Sequence, residues 1–415
     1  MSPRSKKSAP SPRQRRAKRR LGVWLVGARG GLATTVMTGA CAMAKGLAPR
    51  IGLLTEHEMF TGFPLAAFDE LVFGGHDIRE QTTRDAALEV GRDSGSIAPE
   101  LVKRLASDFR AIDRRVVTGS APNAGKVITQ MATPKVQRDR RTLRSTITRL
   151  RKDIESFRER ERCDRVVVVN LASTEARIRL AAAHKTLAAL DDAIDADQRT
   201  KIRPSLLYAY AAATAGCPFI HFTPSNVTLC PAMRELFDEH GVPYMGADGK
   251  TGETLVKSAL APMFKYRNLR VLSWLGYNLL GDRDGFVLQE GDNKASKIDT
   301  KDSLLPNILG YAPQTHVAID YVASLGDRKT AWDYIHFEGF LGHRMHMEFT
   351  WHGCDAILAA PLVLDIVRLV DLATARGETG ALTWLGCFFK SPIGVATQDL
   401  HQQWHALEAW VRAQG

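Results

Sequence analysis

Three glycines stand where a buried strand would turn into a helix. Gly27, Gly30 and Gly31 follow an apolar run at residues 22–26 and precede Thr34. Glycines let a backbone approach a pyrophosphate closely, and the free amides of a helix N-terminus attract anions. Because the spacing departs from strict GxGxxG, a simple packing turn stays open, but the strand–turn–helix order favours nucleotide binding.

A second glycine-rich segment, DGKTGET, covers residues 248–254 and leads into a predicted helix at residues 255–261. Amides at that helix start could hold a phosphate. Glu253 is an unexpected neighbour for an anion, so we expect its side chain to point away. An ordinary capped helix start explains the same residues.

Asn278, Asp282 and Asp284 cluster just past a predicted strand. Two carboxylates and an amide could polarise water, hold a cation or stabilise cationic lysines, and a plain surface turn has the same composition. Four lysines are further candidates: Lys297, Lys301, Lys329 and Lys390. Each lysine taken alone is more typical of a solvated surface.

The elements that would position these residues alternate between helix and strand up to about residue 245. A helix of small residues is predicted at 32–45, and buried strands at 165–170 and 219–222. Polar residues follow both strand ends, at Asn170 and at residues 223–226. In doubly wound parallel sheets, ligands bind at such strand ends.

After residue 248 short strands follow one another with few helices between them. They are predicted at residues 271–277, 315–321, 334–337 and 345–351. A long apolar helix is predicted from Asp355 to about Ala375, and another over the last fifteen residues. This pattern indicates a second region of the α+β class.

Composition limits the possible protein classes. The chain has 415 residues, 45% apolar and 24% charged, which suits two or three globular domains and excludes a mainly disordered protein. It has neither a run of about 18 apolar residues nor an apolar signal-peptide core. Six scattered cysteines without a CxxC pair favour reduced thiols and a cytoplasmic location, and argue against a zinc finger.

The strongly basic character belongs to the first twenty residues, which hold nine Lys or Arg and no acid. Removing those nine charges from the net charge of +11 leaves +2. We predict that residues 1–20 form a disordered basic tail. A weak contact with nucleic acid or an anionic surface and a simple solvated extension both remain open, and we favour the extension.

Taken together, the motifs resemble those of the myo-inositol-1-phosphate synthase family, and more closely its shorter prokaryotic members. The resemblance extends over nearly the whole chain from about Leu21. It rests on several segments in the same order: GARGGLATT at 27–35, NLASTE at 170–175, TPSN at 223–226, DGKTGETLVKSALAPMF from 248, SWLGYNLLGDRDG from 273, DNKASK from 292 and FFKSP at 388–392.

The resemblance implies a redox-neutral conversion of D-glucose 6-phosphate to 1L-myo-inositol 1-phosphate. In that family, tightly held NAD+ oxidises C5, the ketone acidifies C6, an intramolecular aldol step joins C6 to C1, and NADH reduces C5 again. It also implies an α/β fold: a Rossmann-type NAD-binding domain with an inserted α+β catalytic domain that builds a homotetramer. The expected divisions are a tail at 1–20, an NAD domain at 21–247, the inserted domain at 248–354 and a C-terminal return at 355–415.

The resemblance also assigns site residues. Its active-site positions match Asp248, Asn278, Asp282, Asp284, Lys297, Lys301, Lys329, Asp355 and Lys390. Its substrate-phosphate loop matches Thr251, Gly252, Glu253 and Thr254. The expected NAD-binding positions are Gly27, Ala28, Arg29, Gly30, Gly31, Thr34, Asp77, Asn170, Ser173, Thr174, Thr223, Ser225 and Asn226.

Enolates and alkoxides need fixed positive charge, and lysines in a closed pocket need nearby carboxylates to stay charged. Asp248, Asp282, Asp284 and Asp355 are the expected carboxylates. We expect Lys297 at the C5 hydroxyl, Lys390 at the developing oxyanion, and Lys301 and Lys329 at the phosphate and ring hydroxyls.

Two positions depart from the family pattern. The family's loop glutamine is Glu253 here, which weakens its side-chain role. Asp282 replaces an asparagine of longer members, which favours a divalent cation held by Asp282 and Asp284.

Three rival interpretations remain at this stage. The chain could be an NAD-dependent dehydrogenase with net redox turnover, a synthase paralogue acting on another sugar phosphate, or a non-enzymatic nucleotide- or nucleic-acid-binding protein. A clustered set of lysines and a phosphate loop argue against the plain dehydrogenase.

Overall fold

The computed structural model describes residues 19–281, 304–326 and 328–414. Within these ranges the chain forms two sheets. The strands are β1 (Leu21–Val26), β2 (Leu71–Asp77), β3 (Val116–Thr118), β4 (Arg165–Asn170), β5 (Phe219–His221), β6 (Pro243–Gly246), β7 (Arg270–Leu280), β8 (Gln314–Tyr321), β9 (Lys329–Glu338), β10 (Arg344–Gly353) and β11 (Gly380–Ala381).

Helices cover both faces of the first sheet and one face of the second. They are α1 (Gly31–Ala44), α2 (Thr83–Ser94), α3 (Pro99–Arg104), α4 (Ala106–Asp113), α5 (Lys126–Met131), α6 (Pro134–Gln137), α7 (Leu143–Arg160), α8 (Leu187–Asp195), α9 (Pro204–Thr214), α10 (Pro231–Glu239), α11 (Gly252–Tyr266), α12 (Leu304–Leu309), α13 (Asp355–Ala375) and α14 (Leu400–Gln414). None of the helices described is long and apolar enough to cross a membrane.

The first sheet has seven parallel strands in the order β11-β6-β5-β4-β1-β2-β3. The order reverses between β1 and β4, the switch point at which such sheets bind ligands. Val26 pairs with His76 on one side and with Asn170 on the other. The predicted doubly wound, Rossmann-type sheet is confirmed, and this register brings three strand ends to one edge.

Two apolar cores sandwich this sheet. Helices α1 and α13 pack on one face, and α7 and α9 pack on the other. The β-branched residues 166–169 of β4 are all buried, as expected for a strand covered on both sides. The chain after residue 355 returns to this layer, because α13 lies against α1 and β11 pairs with β6.

The second sheet has the order β10-β9-β7-β8, with β7 and β8 parallel and the other pairs antiparallel. Helices α11 and α12 cover one face and bury a core around Trp274. Strand β9 begins at Lys329, five residues before the predicted start. The register places Lys329 opposite both Leu280 and Gly353.

Candidate active site

The glycine turn after β1 is shaped by its backbone. Gly27 has a φ of 84°, and a Cβ there would lie 3.0 Å from Ala172 Cα. The amides of Gly27 and Ala28 both donate to the His76 carbonyl, over 2.9 and 3.1 Å. A side chain at Gly27 would therefore meet both backbone strain and a neighbouring chain segment.

The turn leads into helix α1, whose first backbone amides have no capping side chain. Gly30 is the N-cap of α1 and makes no side-chain cap bond, and the first turn contains no acid. The first amide of α1 with an intrahelical acceptor is that of Thr34, which donates to Gly30 O over 2.9 Å. The preceding amides and the positive end of the helix dipole are thus available to an anion.

Asp77 fastens the turn to the end of β2. Its Oδ2 accepts from Arg29 N over 2.7 Å, and its Oδ1 accepts from Arg79 N over 2.9 Å. The Arg29 guanidinium donates in turn to Arg79 O over 2.7 Å. An acid at this point of a Rossmann-type sheet is suited to bind ribose hydroxyls.

Buried polar contacts hold the ends of β4 and β5. Asn170 Nδ2 donates to Thr223 Oγ1 and lies 3.1 Å from His221 Nδ1. His221 Nε2 lies 2.9 Å from Ser225 O, so Nε2 carries the proton and Nδ1 accepts. Burial lowers the pKa of His221 to about 4, which keeps the ring neutral at physiological pH.

These strand ends open onto a cavity of about 570 Å³. Nine of the expected NAD-binding residues line it: Gly27, Arg29, Gly30, Gly31, Asp77, Asn170, Ser173, Thr174 and Thr223. The same cavity reaches four residues expected around the substrate: Asp248, Thr251, Asp355 and Lys390. The candidate cofactor and substrate positions therefore share one space.

Four expected NAD-binding residues do not line this cavity. Ala28 and Thr34 are buried beneath the turn. Ser225 Oγ accepts from Glu175 N, and Asn226 exchanges two hydrogen bonds with the Ile178 backbone. In this structure Ser225 and Asn226 hold the loop that follows β4.

Lys390 and Asp248 form a buried ion pair across 142 residues of sequence. Lys390 Nζ lies 2.9 Å from Asp248 Oδ1, and both side chains are more than nine-tenths buried. Backbone bonds from Lys390 N to Asp248 O and from Lys250 N to Phe388 O fix the two segments. Asp248 Oδ2 is buried without a partner among the described residues, so it can accept one more hydrogen bond.

A second lysine lies over the start of α11. Lys329 Nζ is 3.4 Å from Asp355 Oδ2. A Cβ built on Gly252 would be 3.3 Å from the same ammonium, which places the charge beside the expected phosphate loop. The first amides of α11 and this cation together suit an anion.

The side chain of Glu253 lies on the β7 side of that loop. It is 1% exposed, contacts Lys257 Nζ at 2.5 Å and accepts from Asn278 Nδ2 at 2.5 Å. Thr254, next along α11, is buried as well. Thr251, Gly252 and the helix amides are therefore the groups of this loop best placed for a phosphate.

Four expected residues lie outside the described ranges: Asp282, Asp284, Lys297 and Lys301. The candidate metal ligands Asp282 and Asp284 are among them. Within the described part of the chain, no group of three or more His, Cys, Asp or Glu side chains could hold a metal ion.

Sequence reasoning missed several buried charged groups near the site. Lys257 and Asp333 lie 3.7 Å apart behind the phosphate loop, and Glu175 caps α9 through Ser205 N over 2.8 Å. Lys250 is buried against Gln403, and burial lowers its pKa to about 8. The spacing of Glu253 and Lys257, four residues apart on one helix, was the one local signal for any of these contacts.

Known proteins match nearly the whole of this chain. The sequence model of a family described as myo-inositol-1-phosphate synthase, an NAD-binding family, matches residues 21–412. An inositol-3-phosphate synthase of Bacteroides thetaiotaomicron is 35% identical over 422 residues, 95% of each chain. One from Spirodela polyrhiza is 29% identical and covers 87% of this chain and 77% of the relative.

Solved structures share the fold. The inositol-3-phosphate synthase of Caenorhabditis elegans gives a TM-score of 0.84 at 23% identity, covering 95% of this chain and 86% of the other. A myo-inositol-1-phosphate synthase-related protein from Thermotoga maritima gives 0.78 at 23% identity, covering 95% and 98%. The family model and the Bacteroides relative, each matching nearly the whole chain, show that this protein belongs to the myo-inositol-1-phosphate synthase family.

Proposed function

We propose that this chain is an NAD-dependent isomerase, an intramolecular lyase that converts D-glucose 6-phosphate to 1L-myo-inositol 1-phosphate without net redox change. Family membership supports this reaction class. The observation that carries the proposal is the single cavity that joins the glycine turn to Asp248, Asp355 and Lys390. A reaction that oxidises and then reduces one bound substrate needs cofactor and charged groups in the same space.

The residues at the glycine turn fit NAD. Gly27 and Gly30 leave room where a Cβ would meet backbone atoms at 3.0 and 3.2 Å, and the N-terminus of α1 has no competing acid. We assign the pyrophosphate to these amides and the ribose to Asp77. When bound, the nicotinamide supplies the oxidation and later reduction of the substrate carbon.

The buried lysines would supply the fixed positive charge. Lys390, paired with Asp248, would stabilise an oxygen that becomes negative during enolisation and cyclisation. Lys329 and the first amides of α11 would hold the substrate phosphate, with Asp355 orienting the lysine. Asn278 completes the described part of the site, next to Glu253.

The roles predicted for Lys297 at the C5 hydroxyl, and for Lys301 at the phosphate and ring hydroxyls, remain predictions. A divalent cation at Asp282 and Asp284 also remains a prediction. Chelation followed by addition of zinc, magnesium or manganese tests it: activity that survives complete chelation would contradict the cation.

We also propose that the chain forms a homotetramer through the second sheet. The face away from α11 carries aromatic side chains, of which Tyr277 is exposed and Trp332 and Tyr334 are half-buried, and the β9–β10 turn exposes Phe340 and Leu341 at 88% each. Light scattering gives the mass in solution; a monomer at micromolar concentration would contradict the tetramer. A cytoplasmic location stays a prediction, supported by six free cysteines.

Product identity tests the proposed reaction. Purified chain is incubated with glucose 6-phosphate and catalytic NAD, and the product is identified by phosphorus NMR against an authentic inositol phosphate. We expect one new inositol monophosphate signal. A phosphogluconate signal would favour a dehydrogenase, and no conversion of this substrate would favour a paralogue acting on another sugar phosphate.

A further inference from the structure

A buried charged cluster lies behind the phosphate loop. Glu253 and Lys257 are one helical turn apart on α11, and their side chains are 1% and 3% exposed. Lys257 Nζ lies 2.5 Å from Glu253 Oε1 and 3.7 Å from Asp333 Oδ1, and Trp274 Nε1 donates to that Asp333 oxygen over 2.7 Å. Burying such charges costs desolvation energy, so stability alone explains the cluster poorly.

The cluster fixes the orientation of Asn278. Asn278 Nδ2 donates to Glu253 Oε2 over 2.5 Å. Because a carboxylate can only accept, the carboxamide nitrogen must face Glu253 and the oxygen must face away. Asn278 Oδ1 is buried and has no hydrogen-bond partner within the described part of the chain. The same nitrogen also donates to Ala318 O over a longer 3.4 Å, so Glu253 is the closer of the two acceptors that leave Oδ1 of Asn278 as the acceptor.

Strand β7 is shaped to admit this pair. A Cβ on Gly276 would lie 2.4 Å from Glu253 Oε1 and 3.0 Å from Lys257 Nζ. Any other residue would push the carboxylate and the ammonium out of place. The absent side chain in the middle of a strand is thus matched to the charged pair opposite it.

We propose that Glu253, with its charge balanced by Lys257, is a positioning residue that sets the Asn278 carboxamide for the reaction, and is not a ligand of the substrate phosphate. The phosphate is left to Lys329 and the backbone amides of α11. This inference rests on the proposed function for its kinetic consequences, but the coupling of Glu253 to Lys257 is independent of the substrate.

A double-mutant cycle tests the positioning role. Glu253→Leu should lower kcat about 10- to 100-fold, the scale of a misplaced site group, while KM for glucose 6-phosphate changes little. Added to Asn278→Ala, Glu253→Leu should cost almost nothing further, because the residue it positions is already gone. Additive losses, or a raised KM with unchanged kcat, would overturn the proposal.

Two further variants, one conservative and one a control, accompany this double-mutant cycle. Glu253→Gln keeps an oxygen that can accept from Asn278, so it should recover about tenfold or more of the kcat lost in Glu253→Leu. Ser258→Ala is the matched control on the same helix: its buried hydroxyl donates to Leu255 O within α11, and kcat should not change. Failure of Glu253→Gln to recover kcat would contradict positioning through that hydrogen bond.

A stability measurement needs no substrate and so separates this inference from the proposed reaction. Lys257→Met leaves Glu253 without its nearest cation and should lower the thermal midpoint. Combining it with Glu253→Gln should restore much of that loss. If the double variant is no more stable than Lys257→Met alone, the pair is not coupled and the proposal fails. This measurement can be made even if Glu253→Leu does not fold, and it then tests the charge balance between Glu253 and Lys257 that the proposal requires.

Discussion

The cofactor end and the charged end of the cavity are built by different means. At the cofactor end, the glycine turn presents backbone amides that lie within a few residues of one another in sequence. Asp77 holds the turn by accepting hydrogen bonds from two backbone amides. At the charged end, Lys390 and Lys329 are side chains held by carboxylates that lie 142 and 26 residues away in the chain.

Because of this difference, the two ends should be sensitive to different kinds of substitution. A backbone site is damaged mainly by adding atoms, because a new Cβ occupies space that a ligand or a neighbouring segment needs. A buried ion pair is damaged by removing atoms, because the remaining charge loses its partner. Substitutions at the two ends should therefore separate cofactor binding from turnover.

The largest effect is expected at the deeper ion pair. Lys390→Met should lower kcat by about a hundredfold or more, because a preorganised cation is lost. It should also cost about 3–5 kcal/mol in the free energy of unfolding, because Asp248 is left buried without its partner. NAD affinity, measured by calorimetry, should stay close to that of the unchanged chain.

Lys265→Met is the control for Lys390→Met, because Lys265 is exposed on α11. Adding Asp248→Asn to Lys390→Met should recover part of the stability without recovering turnover. Normal turnover by Lys390→Met would remove Lys390 from the active site.

The next effect belongs to the glycine turn. A Cβ at Gly30 would lie 3.2 Å from Gly27 O, at the mouth of α1. Gly30→Val should weaken NAD binding by about 1–3 kcal/mol, or about 5- to 150-fold, while the fold survives. Gly39→Val is the matched control, since nothing lies within 4 Å of a Cβ there. Equal NAD affinity in both variants would refute the assigned cofactor position.

Lys329→Met should have a smaller effect than Lys390→Met. Asp355 keeps 30% of its side chain exposed, against 7% for Asp248, so water can solvate it when the lysine is lost. We expect KM for glucose 6-phosphate to rise about tenfold, as for one lost charged hydrogen bond. A fall in kcat with constant KM would assign Lys329 to the chemical steps instead of the phosphate.

Substitution of His221, at the cofactor end, is expected to have the smallest effect at neutral pH, and its effect is on the pH dependence of stability. Its folded pKa of about 4 lies below the ordinary 6.5, so the unfolded chain takes up the proton first. The contribution of neutral His221 to the free energy of unfolding is fully present above pH 6.5. It falls by up to about 3 kcal/mol as the pH drops to 4. His221→Gln should flatten this part of the midpoint–pH curve, and exposed His240→Gln should not. Parallel curves for all three proteins would contradict the lowered pKa.

The fold was predictable where its signals are local. The β-branched run of β4 and the long apolar helix α13 have the predicted bounds, 165–170 and 355–375. Strand β9 was predicted too short, because the polar residues Lys329, Thr330 and Asp333 interrupt its apolar pattern. Its true start is what brings Lys329 near Asp355, through the pairing of Lys329 with Gly353.

The site was predictable only in part for the same reason. The glycine turn could be inferred from its own residues, whereas the lysines, each typical of a solvated surface when taken alone, were assigned to the site only through the family resemblance. Periodicity cannot show which lysine meets which carboxylate when the partners lie on different elements. Nor could it show that Lys257 and Asp333 are buried, since both residue types are usually exposed.

The substrate is oxidised and then reduced by one cofactor within one cavity, so the cofactor must be recycled in each turnover. The direct measurement is the amount of inositol phosphate formed per NAD supplied, with NADH followed by absorbance in the same sample. We predict many product molecules per NAD and no accumulation of free NADH. An oxidised sugar phosphate formed at one equivalent per NAD, with matching NADH release and no inositol phosphate, would contradict the account.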